Sequence, residues 1–136
     1  MSEYLIKDEF FSILKEAKVA YNLDERTYQF AIRARNFIKN IKKTLTNIEY
    51  CKQLSRSSSS VGANYIEANE AFSRKDFFYR IKVCRKEAKE SKYFLKLIET
   101  ENSNPNDIEQ AELINEAHEL VLIFSAILRK HNNDDN

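Results

Sequence analysis

The chain has one glycine, one proline and no tryptophan in 136 residues. Sheet-rich folds draw on Gly and Pro at nearly every turn, so this scarcity excludes a sandwich or barrel. Two cysteines cannot build a disulfide framework. The two histidines, His118 and His131, have no Cys or carboxylate cluster at ligand spacing, so no metal site is expected. The longest apolar run, LVLIFSAIL over 120–128, has nine residues. A spanning helix needs about twenty, so no bilayer crossing is expected. The opening MSEYLIKDEFF carries acids where an export signal needs a basic start. The expected location is the cytoplasm, with both thiols reduced. No nucleophile–base pair and no Gly-rich phosphate loop can be named. Neither His follows an Arg by four to six residues, as a helical-bundle ribonuclease would require. The expectation is a non-enzyme without a cofactor.

What is present is helical. Lys, Glu, Ala, Leu and Ile recur with helical periodicity, which predicts an all-α fold. The pattern reads as an up-down-up-down antiparallel four-helix bundle over 23–131, with a short N-terminal extension (1–22) and a disordered tail (132–136). Within the extension, Phe10, Ile13, Leu14, Ala17 and Tyr21 share one face of a short helix. The bundle helices are expected at about 25–44, 47–71, 74–101 and 105–130, with Asp24 as the first N-cap.

Helix three is the most regular. Phe77, Ile81, Cys84, Ala88, Ser91, Leu95 and Ile98 alternate steps of four and three, a heptad seam with one polar member. Ser73 and Asp76 form a box-like cap at its start. Helix two carries RSSSSVG (56–62), which propensity alone would break. Its apolar phase joins across that run without a slip, so it is expected to be helical and to admit close helix–helix approach. The alternative is a flexible Ser-rich linker. Helix four is expected to use Ile108, Ala111, Ile114, Ala117, Val121, Phe124 and Leu128. That leaves Leu120, Leu122, Ile123 and Ile127 as a second apolar face, read as an oligomer interface or as the seat of the N-terminal extension.

Charge is unevenly spread. Residues 26–96 hold 17 Lys or Arg against 6 Asp or Glu (+11), residues 1–25 carry −3 and residues 97–136 carry −7. Candidate phosphate contacts are Arg33, Lys39, Lys42 and Lys43 on helix one and Lys75, Lys82, Arg85, Lys89, Lys92 and Lys96 on helix three. Against them stand Glu109, Glu112, Glu116 and Glu119, an acidic stripe on helix four. Asn64 and Glu67, one turn apart on helix two, are read as a buried polar network with Arg56 or Arg85; the alternative is a ligand contact.

The motif carried by Arg56, Ser57, Ser60, Val61, Ala63, Asn64, Ile66, Glu67 and Ala68 resembles a family of bacterial four-helix bundles. Its founding members are encoded in intervening sequences of 23S rRNA genes. Ser73, Arg74, Lys75, Asp76 and Phe77, then Lys86, Glu87, Ala88 and Glu90, continue the resemblance, which covers about 24–130. It implies a symmetric ring of identical subunits, pentameric in known members. It also implies a relation to accessory proteins of diversity-generating retroelements, which bind nucleic acid through a basic ring surface. The expected function is an oligomer that binds RNA or DNA backbone. The alternative is a structural or adaptor oligomer that docks a protein partner.

Overall fold

Four helices follow one another with no strand among the described residues. In the computed structural model these are residues 22–134, with side chains to Lys130. The helices are α1 Leu23–Lys39, α2 Leu45–Asn69, α3 Arg74–Leu97 and α4 Asn104–Asp134. Each packs on the next and α1 packs on α4, which closes a four-cornered bundle. The connections, 40–44, 70–73 and 98–103, are short enough to force antiparallel neighbours.

The expected helices are all present, and their ends differ in informative ways. Asn22, not Asp24, is the first N-cap, in a left-handed conformation with φ 45°. Asp24 and Glu25 lie in the first turn, where they favour the positive end of the helix dipole. α1 stops at Lys39 rather than 44, although Ile41 beyond it is buried. The stop comes from the next helix: Thr44 turns extended and accepts a hydrogen bond from Asn47 N at 3.2 Å. Asn47 is wholly buried and holds the corner together. Its Nδ2 donates to Lys42 O (3.1 Å) and Glu99 O (2.9 Å), and its Oδ1 accepts from Glu99 N (3.0 Å). α3 ends under Gln110, whose Nε2 donates to Leu95 O and Ile98 O, both at 2.8 Å. α4 runs on to Asp134, past the expected end at 130. The expectations for 1–21 and 135–136 lie outside the described residues.

The serine run is helical. Serine hydroxyls there turn back on carbonyls of the preceding turn, as Ser59 Oγ does to Ser55 O at 2.7 Å. Ser57 and Ser58 are buried, and small side chains bring α2 and α3 together. The Cys84 thiol of α3 reaches the backbone carbonyl of Val61 in α2 at 3.4 Å. Gly62 plays the same part toward α1, since a Cβ there would sit 3.1 Å from Thr27 Oγ1. Ala63, by contrast, is exposed.

All seven members of the α3 seam are buried, each apolar one contributing through area removed from water. The α4 seam differs from expectation. Leu113, Ala117, Leu120, Phe124 and Ile127 form it, while Ile108 is 56% exposed. Leu120, Ile123 and Ile127, read as an interface, are therefore core of the chain itself, and only Leu122 of that set stays exposed, at 48%. The cause is electrostatic as well as apolar. The adopted phase turns Glu109, Glu112 and Glu116 onto α1, where Arg26 and Arg33 meet them.

Candidate nucleic-acid interface

α3 is positioned by its own seam. Phe77 to Ile98 face the core and Ser73 Oγ caps the start, accepting from Asp76 N at 3.1 Å. Shifting each seam residue back by two positions gives Lys75, Tyr79, Lys82, Lys86, Lys89, Tyr93 and Lys96. Two residues are about 200° of helix rotation, so this set lies opposite the core. Every member is exposed, Tyr79 at 61% and Tyr93 at 60%. No member of the row is an acid. Of the α3 acids, Glu87 is buried and Glu90 is paired with Arg56, while Asp76 sits in the first turn off the row. The five lysines form no ion pair among the described residues.

The other sequence-predicted cations fall elsewhere. Arg85 and Lys92 edge the row on its α4 side, where Lys92 Nζ lies 3.2 Å from His118 Nδ1. Arg33 is engaged on α4, at 3.1 Å from both Glu109 and Glu112. The acidic stripe thus neutralises α1 rather than α3, and Arg33 is withdrawn from the candidate set. Lys39, Lys42 and Lys43 lie at the same bundle end as Lys96, since Asn47 bonds to Glu99 across that end. They belong to the α1–α2 corner, and Lys42 is bridged to Glu101 at 3.1 Å. An apolar groove there is lined by Ile38, Ile41, Ile48 and Cys51 with Lys42, Lys43 and Lys52 around it.

The polar network also takes a different form. Arg56 pairs with Glu87 at 3.0 Å and with Glu90, while Glu67 is exposed and takes no part. Asn64 donates to Ser60 O (2.8 Å) and accepts from Arg80 (3.0 Å). The Arg56 pairing crosses from α2 to α3 because Glu87 lies on the α3 flank facing α2, whereas Glu67 points out of the same helix as Arg56. Tyr79, Lys86 and Tyr93 were not among the candidates read from sequence. The signal that finds them is the seam's own four–three rhythm displaced by two. Among the described residues no group of three or more metal-capable side chains occurs, and no helix is long and apolar enough to cross a membrane.

A family model described as 23S rRNA-intervening sequence protein matches residues 21–126, spanning the first three helices and most of α4. The chain belongs to that family. A crystal structure of an S23 ribosomal protein family member of unknown function, from Bacteroides thetaiotaomicron, is similar in fold and sequence. Its TM-score is 0.62 and its identity 30%, over 77% of this chain and 97% of that one. No curated protein matches. Membership in the 23S rRNA-intervening sequence protein family thus accounts for the bundle and for the Arg56–Ala68 motif. No activity comes with it, so function rests on the α3 row.

Proposed function

We propose that this protein binds the phosphate backbone of nucleic acid through the outward row of α3, without catalysis and without base-specific readout. The observation that supports it is the row itself: Lys75, Lys82, Lys86, Lys89 and Lys96 stand on one exposed face and form no ion pair among the described residues. The α4 acids that would compete are turned onto Arg26 and Arg33. Phosphate contacts release counterions, so the logarithm of affinity should fall linearly with that of salt, by about 0.7 to 0.9 per phosphate neutralised. Fluorescence anisotropy with labelled RNA and DNA across a salt series measures this. Lys82→Glu with Lys89→Glu should weaken binding to all sequences alike, since backbone contacts carry no base information. Absence of binding at about 50 mM salt, well below where such contacts are screened, overturns the reading and leaves the protein-docking alternative.

A second observation favours self-association. Leu45, 85% exposed, and Ile48 lie at the α1–α2 corner beside the apolar groove, and Leu122 is exposed on α4. The expected assembly is a closed homo-oligomer, with five subunits the number the family resemblance implies. Light scattering tests it: Ile48→Glu or Leu122→Glu should lower the mass and leave helix content unchanged, and a wild-type monomer at micromolar concentration overturns it.

A further inference from the structure

We propose that the α3 row takes single-stranded nucleic acid, with unpaired bases stacked on Tyr79 and Tyr93; this rests on the backbone-binding reading above. Both rings belong to the row, on one line with Lys86 at heptad spacing, and are more than half exposed. Each has a lysine on either side along the helix, Lys75 and Lys82 around Tyr79, Lys89 and Lys96 around Tyr93. At 1.5 Å per residue those lysines sit about 4.5 to 6 Å from their tyrosine along the axis, and the two rings are about 21 Å apart. Each ring also has a neighbour beside it. The Arg80 guanidinium lies 5.9 Å from the Tyr79 centroid, and the Phe94 ring lies 5.5 Å from that of Tyr93. Along the row each exposed ring is flanked by cations, as each base of a strand hangs from a backbone with a phosphate on either side.

A duplex fits the row poorly. Its bases stack on one another and offer only edges, so two exposed rings find no face to cover. Its backbones wind away from a straight line of lysines, and a helix meets base edges only by entering a major groove about 12 Å wide. α3 is a corner of the bundle, with α2 and α4 packed at its sides, so it does not project as a helix that enters a groove must. A single strand can follow the row and unstack its bases onto the rings. Stacking accepts any base, which agrees with binding that does not read sequence.

Anisotropy titration at one low salt concentration decides the matter, with labelled oligo-uridine and oligo-deoxythymidine, a duplex of equal length, and an abasic strand carrying phosphates alone. Wild-type protein should bind both single strands about tenfold more tightly than the duplex or the abasic strand. Tyr79→Leu with Tyr93→Leu should lose roughly that factor on the single strands and change neither duplex binding nor the salt slope. Tyr79→Phe with Tyr93→Phe should retain it, because the ring and not the hydroxyl stacks. Circular dichroism confirms that the variants fold. Equal affinity for duplex and single strand, or single-strand binding untouched by the Leu pair, overturns this inference and leaves backbone binding standing. Loss of all binding in the wild type overturns both.

Discussion

The hydroxyls of Ser57 and Ser91 lie 2.9 Å apart where α2 crosses α3, and both residues are fully buried. Ser91 Oγ is also 2.9 Å from Glu87 O, while the other contact of Ser57 Oγ, with Leu54 O, is long at 3.4 Å. Ser57 therefore depends on Ser91 more than the reverse. Ser91→Ala should cost about 1 kcal/mol in urea unfolding, Ser57→Ala less, and the double variant clearly less than the sum. Ser91→Leu should cost about 1–3 kcal/mol, because the helices are already close. Additive single effects would show that the two hydroxyls do not interact.

Gly62 and Ala63 are adjacent and should respond differently to the same substitution. A Cβ at 62 meets Thr27 Oγ1, and that hydroxyl is held by a 2.6 Å bond to Leu23 O, so it cannot swing aside. Gly62→Leu should destabilise by about 1–3 kcal/mol. Gly62→Ala should be near neutral, a helix-propensity gain of about 1 kcal/mol offsetting the tight contact. Ala63 is exposed, so Ala63→Leu should stay within about 0.5 kcal/mol. Chemical denaturation of the three variants checks the contrast.

This contrast also shows what periodicity could and could not settle. The α3 seam was legible because only one phase of that helix stays apolar along its whole length, although Phe78 is buried beside it. α4 offers two phases one residue apart, Ile108 and Ile114 in one, Leu113 and Leu120 in the other. The choice between them is made by the surfaces that α1 and α3 present to α4, apolar faces as well as Arg26 and Arg33. The end of α1 was hidden by Ile41, which keeps the helical phase although it sits in the loop. At the candidate site the lysines were visible as charge. Tyr79 and Tyr93 were not singled out, since an isolated tyrosine carries no sign of exposure until the opposite face is known to be core. Arg56 was visible too, but a single chain of letters could not say that its partner is Glu87 rather than Glu67.

Arg56 and Arg33 both bridge helices, and burial separates them. Glu87 has a side chain only 7% exposed against Arg56, whereas Glu109 and Glu112 are more open against Arg33. Arg56→Ala leaves a buried carboxylate without its charged donor and should cost about 2 kcal/mol, a value already reduced for the half-exposed guanidinium. Arg33→Ala should cost at most about 1 kcal/mol. Arg56→Met combined with Glu87→Leu should recover most of the first loss, because no charge is then left buried. Equal costs for the two Ala variants would mean that the burial of Glu87 has no consequence.

Cys84 and Tyr65 each make the fold less stable at alkaline pH. Burial pushes the Cys84 thiol up to about 12 from an ordinary 9.0. Burial, and then the charge of Asp24, pushes the Tyr65 phenol to about 12 from 10.0. In both cases the folded chain keeps a proton that the unfolded chain releases earlier. Stability should therefore be flat with respect to these groups below pH about 9 and fall from there toward 12. Each group contributes up to about 1.4 kcal/mol per pH unit within its own window. Urea midpoints followed through this range should show the decline, and Cys84→Ala should remove the part that begins near 9. Thiol labelling gives an independent reading at neutral pH. Cys51 is only partly buried and should react first, slowed by the upward shift that burial gives it. Cys84 should react only as the protein unfolds, and equal rates for the two thiols in the folded protein would contradict its burial against Val61.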